Sequence, residues 1–199
     1  MKKTGLILLI VTLMVAACAP ITEEKNPFFA DYNTPFNVPP FDRIAEEHYM
    51  PAFEEGMRQQ NVEIEAILAN PEAPTFENTI EALEYTGQFL RNVSLVFFNA
   101  NSSNTNDEIQ AIARELSPKM SQHADNIRLN PDLFERVRKV YEQKDGLDLN
   151  PEQAKLLEET HKRFIRSGAA LPADKQKRLR EINQDLSTLT LEFGQNVLG

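Results

Sequence analysis

The stretch from Pro74 to Phe98 constrains the fold of this chain more than any other part of the sequence. Thr75 stands where a helix N-cap is expected, with its hydroxyl placed to accept a hydrogen bond from a free backbone N–H of the first turn. The residues that follow at steps of three or four are Phe76, Ile80, Leu83, Gly87, Leu90, Val93 and Phe97. This spacing predicts one helix of about seven turns with an apolar stripe along one side.

Further apolar residues lie off this stripe, toward the far end of the predicted helix. They are Phe89, Leu95, Val96 and Phe98. A helix that is apolar on several sides needs packing partners on several sides. We therefore expect this helix to be the central element of an all-α assembly.

Helical spacing continues on both sides of the central stretch. Pro51 suits the first turn of a preceding helix, because its missing N–H would be unsatisfied there in any case. Asn130-Pro131 and Asn150-Pro151 give the same start signal twice, and Gly168 ends the second of these helices. With no convincing strand pattern, the sequence predicts six to seven packed helices.

Two further helix signals lie around and after these elements. Thr105 and Glu108 have the spacing of a capping box, which predicts a helix start after the central stretch. The last helix begins near Asp174, and its apolar stripe reaches Val197 without a stop signal. We therefore expect the chain to be the front part of a longer protein.

The segment 1–17 has the features of a bacterial export signal. Lys2 and Lys3 precede an uncharged apolar run at 5–15, which is too short to be a comfortable permanent membrane span. The run ends in Val15-Ala16-Ala17-Cys18, which resembles the lipobox of bacterial lipoproteins. We predict a signal peptide at 1–17 and lipid attachment at Cys18. The alternative is an ordinary secretory signal in which Cys18 has no role.

The segment 18–38 is predicted to form a proline-containing tether, and the segment 39–199 the helical section. Cys18 is the one cysteine of the chain, so no disulfide can form within the mature segment. We expect the second half of the tether to pack on the helical section because it carries four aromatic residues. These are Phe28, Phe29, Tyr32 and Phe36.

The charge balance argues against two kinds of anionic partner. Loss of the segment 1–17 removes Lys2 and Lys3, which leaves 19 basic residues against 30 acidic ones, a net charge of −11. Nucleic acids and anionic membrane surfaces both require a basic face. We predict no nucleic-acid partner, and membrane association only through the lipid anchor.

The chain shows no recognisable catalytic or metal-binding constellation. Its histidines, His48, His123 and His161, lie far apart, whereas a local zinc site needs two histidines one helical turn apart with a glutamate between them. It has no Gly-x-Ser-x-Gly elbow and no glycine-rich phosphate loop. We therefore assign no catalytic residue and no metal ligand, and we expect this chain alone to be inactive and to bind no zinc.

Several motifs in order resemble a known family, the thimet oligopeptidase and peptidyl-dipeptidase family of zinc metallopeptidases. The motifs are Pro39-Pro40-Phe41-x-x-Ile44-x-x-x-His48-Tyr49-x-Pro51-Ala52-Phe53-Glu54-x-Gly56-Met57, Pro74-Thr75-Phe76-Glu77-Asn78-Thr79-Ile80-x-Ala82-Leu83-Glu84, Leu129-Asn130-x-x-Leu133-Phe134 and Phe164-x-Arg166-Ser167-Gly168-Ala169-x-Leu171. The likeness covers about Pro39 to Gly199. Phe97-Phe98 and Thr105-Asn106 favour the bacterial peptidyl-dipeptidase branch.

The resemblance implies a mostly helical, two-lobed peptidase with a deep channel between its lobes. It implies a zinc ion held by His-Glu-x-x-His and a downstream glutamate, with short peptides as substrates. None of those ligands is in this chain, so zinc is expected only in the full-length protein. Within the matching motifs, we interpret Thr75 and Asn78 as a helix cap rather than a substrate contact.

Two functions remain open from the sequence. The first is the front section of a lipid-anchored peptidyl-dipeptidase of the bacterial cell envelope, at the periplasm or outer membrane. This section would shape and gate the substrate channel. The second is a non-catalytic helical lipoprotein that binds peptides or a partner protein.

Acylation at Cys18 can be tested directly. We expect labelled palmitate to enter the wild-type protein, and we expect Cys18→Ala to release the protein from the membrane fraction or to leave an uncleaved precursor, since the thiol is the attachment atom. The measurement is fractionation combined with labelling. Failure of the wild type to take up label would exclude lipid attachment.

Overall fold

A computed structural model describes residues 26–198. The predicted signal peptide and the predicted acylation site at Cys18 lie outside the described residues. The helices, in chain order, are α1 (Tyr49–Ala69), α2 (Ala82–Glu84), α3 (Gln88–Ser103), α4 (Asp107–Arg128), α5 (Pro131–Glu142), α6 (Pro151–Arg166) and α7 (Ala173–Leu198). Short 3₁₀ turns lie at Pro27–Phe29, Pro35–Asn37, Glu46–His48 and Lys144–Gly146, and a π-helical segment spans Phe76–Glu81. No strand occurs within 26–198, so the all-α prediction is confirmed.

The single central helix predicted from Thr75 to Phe98 is wrong. The chain instead forms the π-helical segment and the short α2, turns at 85–87, and continues as α3. Gly87 has a φ of 71°, a left-handed conformation that is strained for residues with a side chain. Its N–H donates to the Glu63 carboxylate of α1 at 2.6 Å, which fixes the turn against that helix.

The break at Gly87 divides the apolar stripe between two hydrophobic clusters. Phe76 and Ile80 before the break belong to one cluster, and Leu90, Val93 and Phe97 after it belong to the other. The spacing of three and four therefore holds on each side of the break. The predicted stripe is buried at these five positions although the helix that carries it is not continuous.

The first cluster lies where α1, α3 and α4 meet. Phe53 of α1 and Phe97 of α3 are fully buried, with their rings perpendicular and their centroids 5.4 Å apart. An edge-to-face pair of this kind is favoured because the positive ring edge meets the negative ring face. Leu116 of α4 closes the cluster and is also fully buried.

The second cluster lies where α5 and α6 meet the π-helical segment. Leu133 and Val137 of α5 and Leu157 of α6 are buried around Ile80. Phe134 and Phe164 stack with their ring centroids 6.1 Å apart. The two clusters form the hydrophobic core of the described residues.

Side-chain caps set the starts of α4, α5 and α6. Asn130 Oδ1 accepts from two backbone N–H groups of α5, and Asn150 exchanges hydrogen bonds with Gln153 at the start of α6, so both Asn-Pro starts are confirmed. The predicted capping box of Thr105 and Glu108 is wrong. Asn106 is the cap of α4, and its Oδ1 accepts from the Ile109 N–H at 2.8 Å. Asparagine takes this place because it is a stronger N-cap residue than threonine.

The segment before Pro39 contributes to the folded body. Phe28 is buried in the first cluster, and Tyr32 packs against it. Phe29 stacks on Phe89 of α3 with ring centroids 6.0 Å apart. The expectation that Phe36 would pack is wrong, since its side chain is 98% exposed at a turn where its own φ is 60°.

Candidate functional site

Each of the three histidines has its own partner. His48 Nδ1 accepts from the Ala45 N–H at 2.9 Å, and the His161 ring stacks on Tyr141 at a centroid distance of 3.9 Å. His123 Nε2 lies 2.7 Å from Gln60 Oε1. Within residues 26–198, no group of three or more histidine, cysteine, aspartate or glutamate side chains is arranged to hold a metal ion.

A cavity of about 360 Å³ lies between the two clusters. Leu90 and Met120 reach it from the first cluster, and Leu83, Ile127 and Phe164 reach it from the second. Its walls therefore come from the chain on both sides of the Gly87 break and from α4 and α6. We refer to it as the central cavity.

The polar wall of the central cavity is a chain of hydrogen bonds. His123 is buried. Burial lowers the pKa of its imidazole because the cation would lose hydration. The neutral ring can then donate from Nε2 to Gln60 Oε1, while Gln60 Nε2 donates to Thr86 Oγ1 at 3.3 Å. Thr86 Oγ1 donates in turn to the Leu83 carbonyl at 2.9 Å. The chain connects α4, through α1, to the turn at 85–87.

The rim of the central cavity is mostly basic. Arg128 and Arg163 line it and are exposed, Glu84 is the single carboxylate among its lining residues, and the buried Thr160 lies deeper. A single carboxylate and a neutral histidine among the lining residues do not form an acid–base pair placed on a reacting atom. The arrangement provides a cavity with hydrogen-bonding groups on its wall, and no bond-breaking step is assigned to it.

A second polar network surrounds the family motif at 75–78. Thr75 Oγ1 accepts from the Asn78 N–H at 3.2 Å, and Asn78 Oδ1 accepts from the Thr75 N–H at 2.8 Å. The two residues therefore cap the π-helical segment reciprocally, in the manner of a capping box. Arg136 of α5 donates to the Asn70 carbonyl at 3.1 Å and to Asn78 Oδ1 at 3.3 Å. Arg136 thus joins the capped loop to α5.

Sequence reasoning missed Arg136. Its position on the buried stripe of α5, between Leu133 and Val140, was the available signal. A long charged residue within an apolar stripe has to find polar partners inside the protein. Here those partners are the backbone and side chain of the capped loop.

Sequence comparison identifies known proteins that are similar to this chain. No family model matches. The chain is 42% identical over 173 residues to a dipeptidyl carboxypeptidase of Escherichia coli K12, an alignment covering 87% of this chain and 25% of that protein. It is 27% identical over 165 residues to oligopeptidase A of the same organism, covering 83% of this chain and 24% of that protein. It is 27% identical over 169 residues to a thimet-like oligopeptidase of Dictyostelium discoideum, again covering 83% and 24%.

The chain is thus similar to peptidases named dipeptidyl carboxypeptidase and oligopeptidase A, and the resemblance described from the sequence is confirmed. The chain spans about a quarter of the length of the curated relatives it matches. None of the helices within 26–198 combines the length and the apolar composition that a membrane span requires.

The buried His123 predicts a pH-dependent stability. Its pKa in the folded protein lies below the ordinary value of 6.5. Below about pH 6.5, the His123 imidazole therefore binds a proton in the unfolded chain but not in the folded protein. The contribution of the neutral His123 to the free energy of unfolding should be fully present above that pH. It should be lost as the pH falls toward the folded-state pKa. The loss for one such group is at most about 1.4 kcal/mol per pH unit.

The measurement is urea unfolding between about pH 7.5 and pH 5 for the wild type and His123→Gln. Glutamine can keep a donor near Gln60 but does not titrate, so its curve should be flatter over this range. Parallel curves for the two proteins would show that His123 is not buried in its neutral form.

Proposed function

We propose that this chain is the front section of a zinc peptidyl-dipeptidase that releases dipeptides from the C-termini of short peptides. The observation that carries the proposal is the 42% identity to a protein named dipeptidyl carboxypeptidase, compared with 27% to oligopeptidase A. The difference favours release of C-terminal dipeptides over cleavage at internal bonds.

In this proposal, the present section shapes and gates the substrate channel. A peptidase that cleaves only short peptides needs a substrate channel with rigid walls that exclude folded proteins. Long helices packed on two buried clusters supply such walls. The series of hydrogen bonds from His123 to the Leu83 carbonyl connects α4 and α1 to the turn at 85–87 along the central cavity. Paired polar groups of this kind make the packing specific. No catalytic step is assigned to any residue of this chain.

The residues described here do not fit the zinc ion that the family resemblance implies. His123 is already bonded to Gln60 inside the protein, His161 is stacked on Tyr141, and His48 caps a turn. Zinc sites need three or four converging ligands. We therefore propose that zinc is bound by the remainder of the full-length protein.

We further propose that the enzyme acts in the bacterial cell envelope, anchored through Cys18. The lipobox-like end of the leader supports this location. Peptides produced by protein turnover in the envelope would be its substrates.

The activity is tested with the full-length protein and a matched pair of N-acetylated pentapeptides, one with a free C-terminus and one amidated. We expect a dipeptide from the free-acid substrate and little or none from the amide, because an enzyme that counts from the C-terminus must bind its carboxylate. A chelator should abolish the activity and added zinc should restore it, while a folded protein should remain uncut.

The mature form of the present chain is the control, and it should contain no chelator-resistant zinc and release no dipeptide. Equal cleavage of the acid and the amide would contradict the dipeptidase mode and favour an endopeptidase. Absence of any chelator-sensitive activity in the full-length protein would favour the alternative, a non-catalytic helical lipoprotein that binds peptides or a partner.

A further inference from the structure

The last helix, α7, contacts α4 largely through polar groups. Asn183 Nδ2 donates to both carboxylate oxygens of the buried Asp125, at 2.9 and 3.1 Å. Arg180 donates to Asn126 Oδ1 at 3.1 Å, farther along the same interface. The interface between these two helices is therefore built on specific hydrogen bonds.

The apolar residues of α7 are mostly on its exposed surface. Five of them repeat at steps of three and four and are 43–70% exposed, and we call them the outer face of α7: Ile182, Leu186, Leu189, Phe193 and Val197. The helical rise per residue makes this face about 22 Å long. Leu191, by contrast, packs against the first cluster.

This distribution is the reverse of an ordinary surface helix, which turns its apolar stripe toward the core and its polar residues toward water. Exposed apolar patches rimmed by polar residues mark interaction surfaces, because covering them removes apolar area from water. The spacing of the outer face also matches the ridges by which one helix packs on another. The surface therefore suits an apolar protein segment as its partner.

We propose that the outer face of α7 is the docking surface for the part of the full-length peptidase that follows residue 199, and this rests on the proposed function. The aligned relatives are about four times as long as the aligned section, so the proposed continuation has enough chain to supply the partner segment. A segment tethered to the end of α7 would also have a high local concentration at this face.

A second copy of the chain is the less favoured occupant. The mature chain carries 19 basic residues against 30 acidic ones, a net charge of −11. Two copies therefore repel each other at the distance of a dimer contact. A continuation in the same chain needs no second acidic copy at this face and is already connected to the end of α7. The two occupants differ in a measurable property, the oligomeric state.

The test compares full-length wild type, Leu189→Glu, Leu189→Ala and Gln184→Glu. Gln184 is exposed on the same helix but outside the outer face, so Gln184→Glu controls for added charge on α7. If the face is covered, Leu189→Glu should lower Tm by at least about 3 °C and speed proteolysis, while Gln184→Glu leaves both unchanged. Leu189→Ala should lower Tm by a smaller amount in the same direction, which provides an answer should Leu189→Glu not accumulate.

Light scattering of the wild type distinguishes the occupants. A monomer with the expected Tm differences supports the proposal. A dimer that Leu189→Glu dissociates would assign the face to a second copy and overturn it, and equal Tm values for all four proteins would show an uncovered face. Dipeptide release is measured separately, so loss of the proposed activity with the Tm differences intact would refute the proposed function and not the docking surface.

Discussion

The close approach of α1 and α3 at Gly56 is the contact on which the rest of the structure depends. A Cβ atom at Gly56 would lie 2.9 Å from Leu90 Cα and 3.0 Å from Leu90 Cβ, so the two helix backbones meet where α1 has no side chain. This approach brings Phe53 and Phe97 into their perpendicular contact and buries Val93 completely. The glycine belongs to the motif through which the sequence resembles its family, and the structure gives that residue a packing role.

The central cavity follows from the same contact. With α1 held against α3, Gln60 lies next to the turn at Gly87, where an added Cβ would meet its side chain at 2.5 Å. Gln60 can then bond His123 on one side and Thr86 on the other. The break at Gly87 is thus fixed from α1, and the two hydrophobic clusters face each other across a cavity in which His123, Gln60 and Thr86 are hydrogen-bonded to one another.

The helices and their buried positions could be predicted from the sequence more accurately than the contacts between helices. Phe76, Ile80, Leu90, Val93 and Phe97 are buried as their spacing indicates, because helical periodicity is a local property. The interruption at Gly87 was missed because a glycine fits an apolar stripe as well as a turn, and the tertiary bond to the Glu63 carboxylate decides between them.

The polar network of the candidate site was missed for a related reason. His123, Gln60 and Thr86 are far apart in sequence, and only the packing of α1 against α3 and α4 brings them together. The reciprocal cap of Thr75 and Asn78 was predictable because both partners lie within one turn of chain. Local hydrogen bonds can therefore be inferred from spacing, whereas those that join separate helices depend on the tertiary contact at Gly56.

The most direct test of this account is the free energy of unfolding of Gly56→Ala, with Gly146→Ala as the matched control. In a helix interior, replacing glycine by alanine ordinarily stabilises by about 1 kcal/mol. Gly146 has no atom within 4 Å of an added Cβ. Its variant should therefore be neutral or slightly stabilised. We predict that Gly56→Ala is destabilised by about 1–3 kcal/mol in urea unfolding, because the obstructing atom is the backbone of Leu90 and cannot rotate away. A Gly56→Ala protein as stable as the wild type, or more stable, would contradict the close contact of α1 and α3.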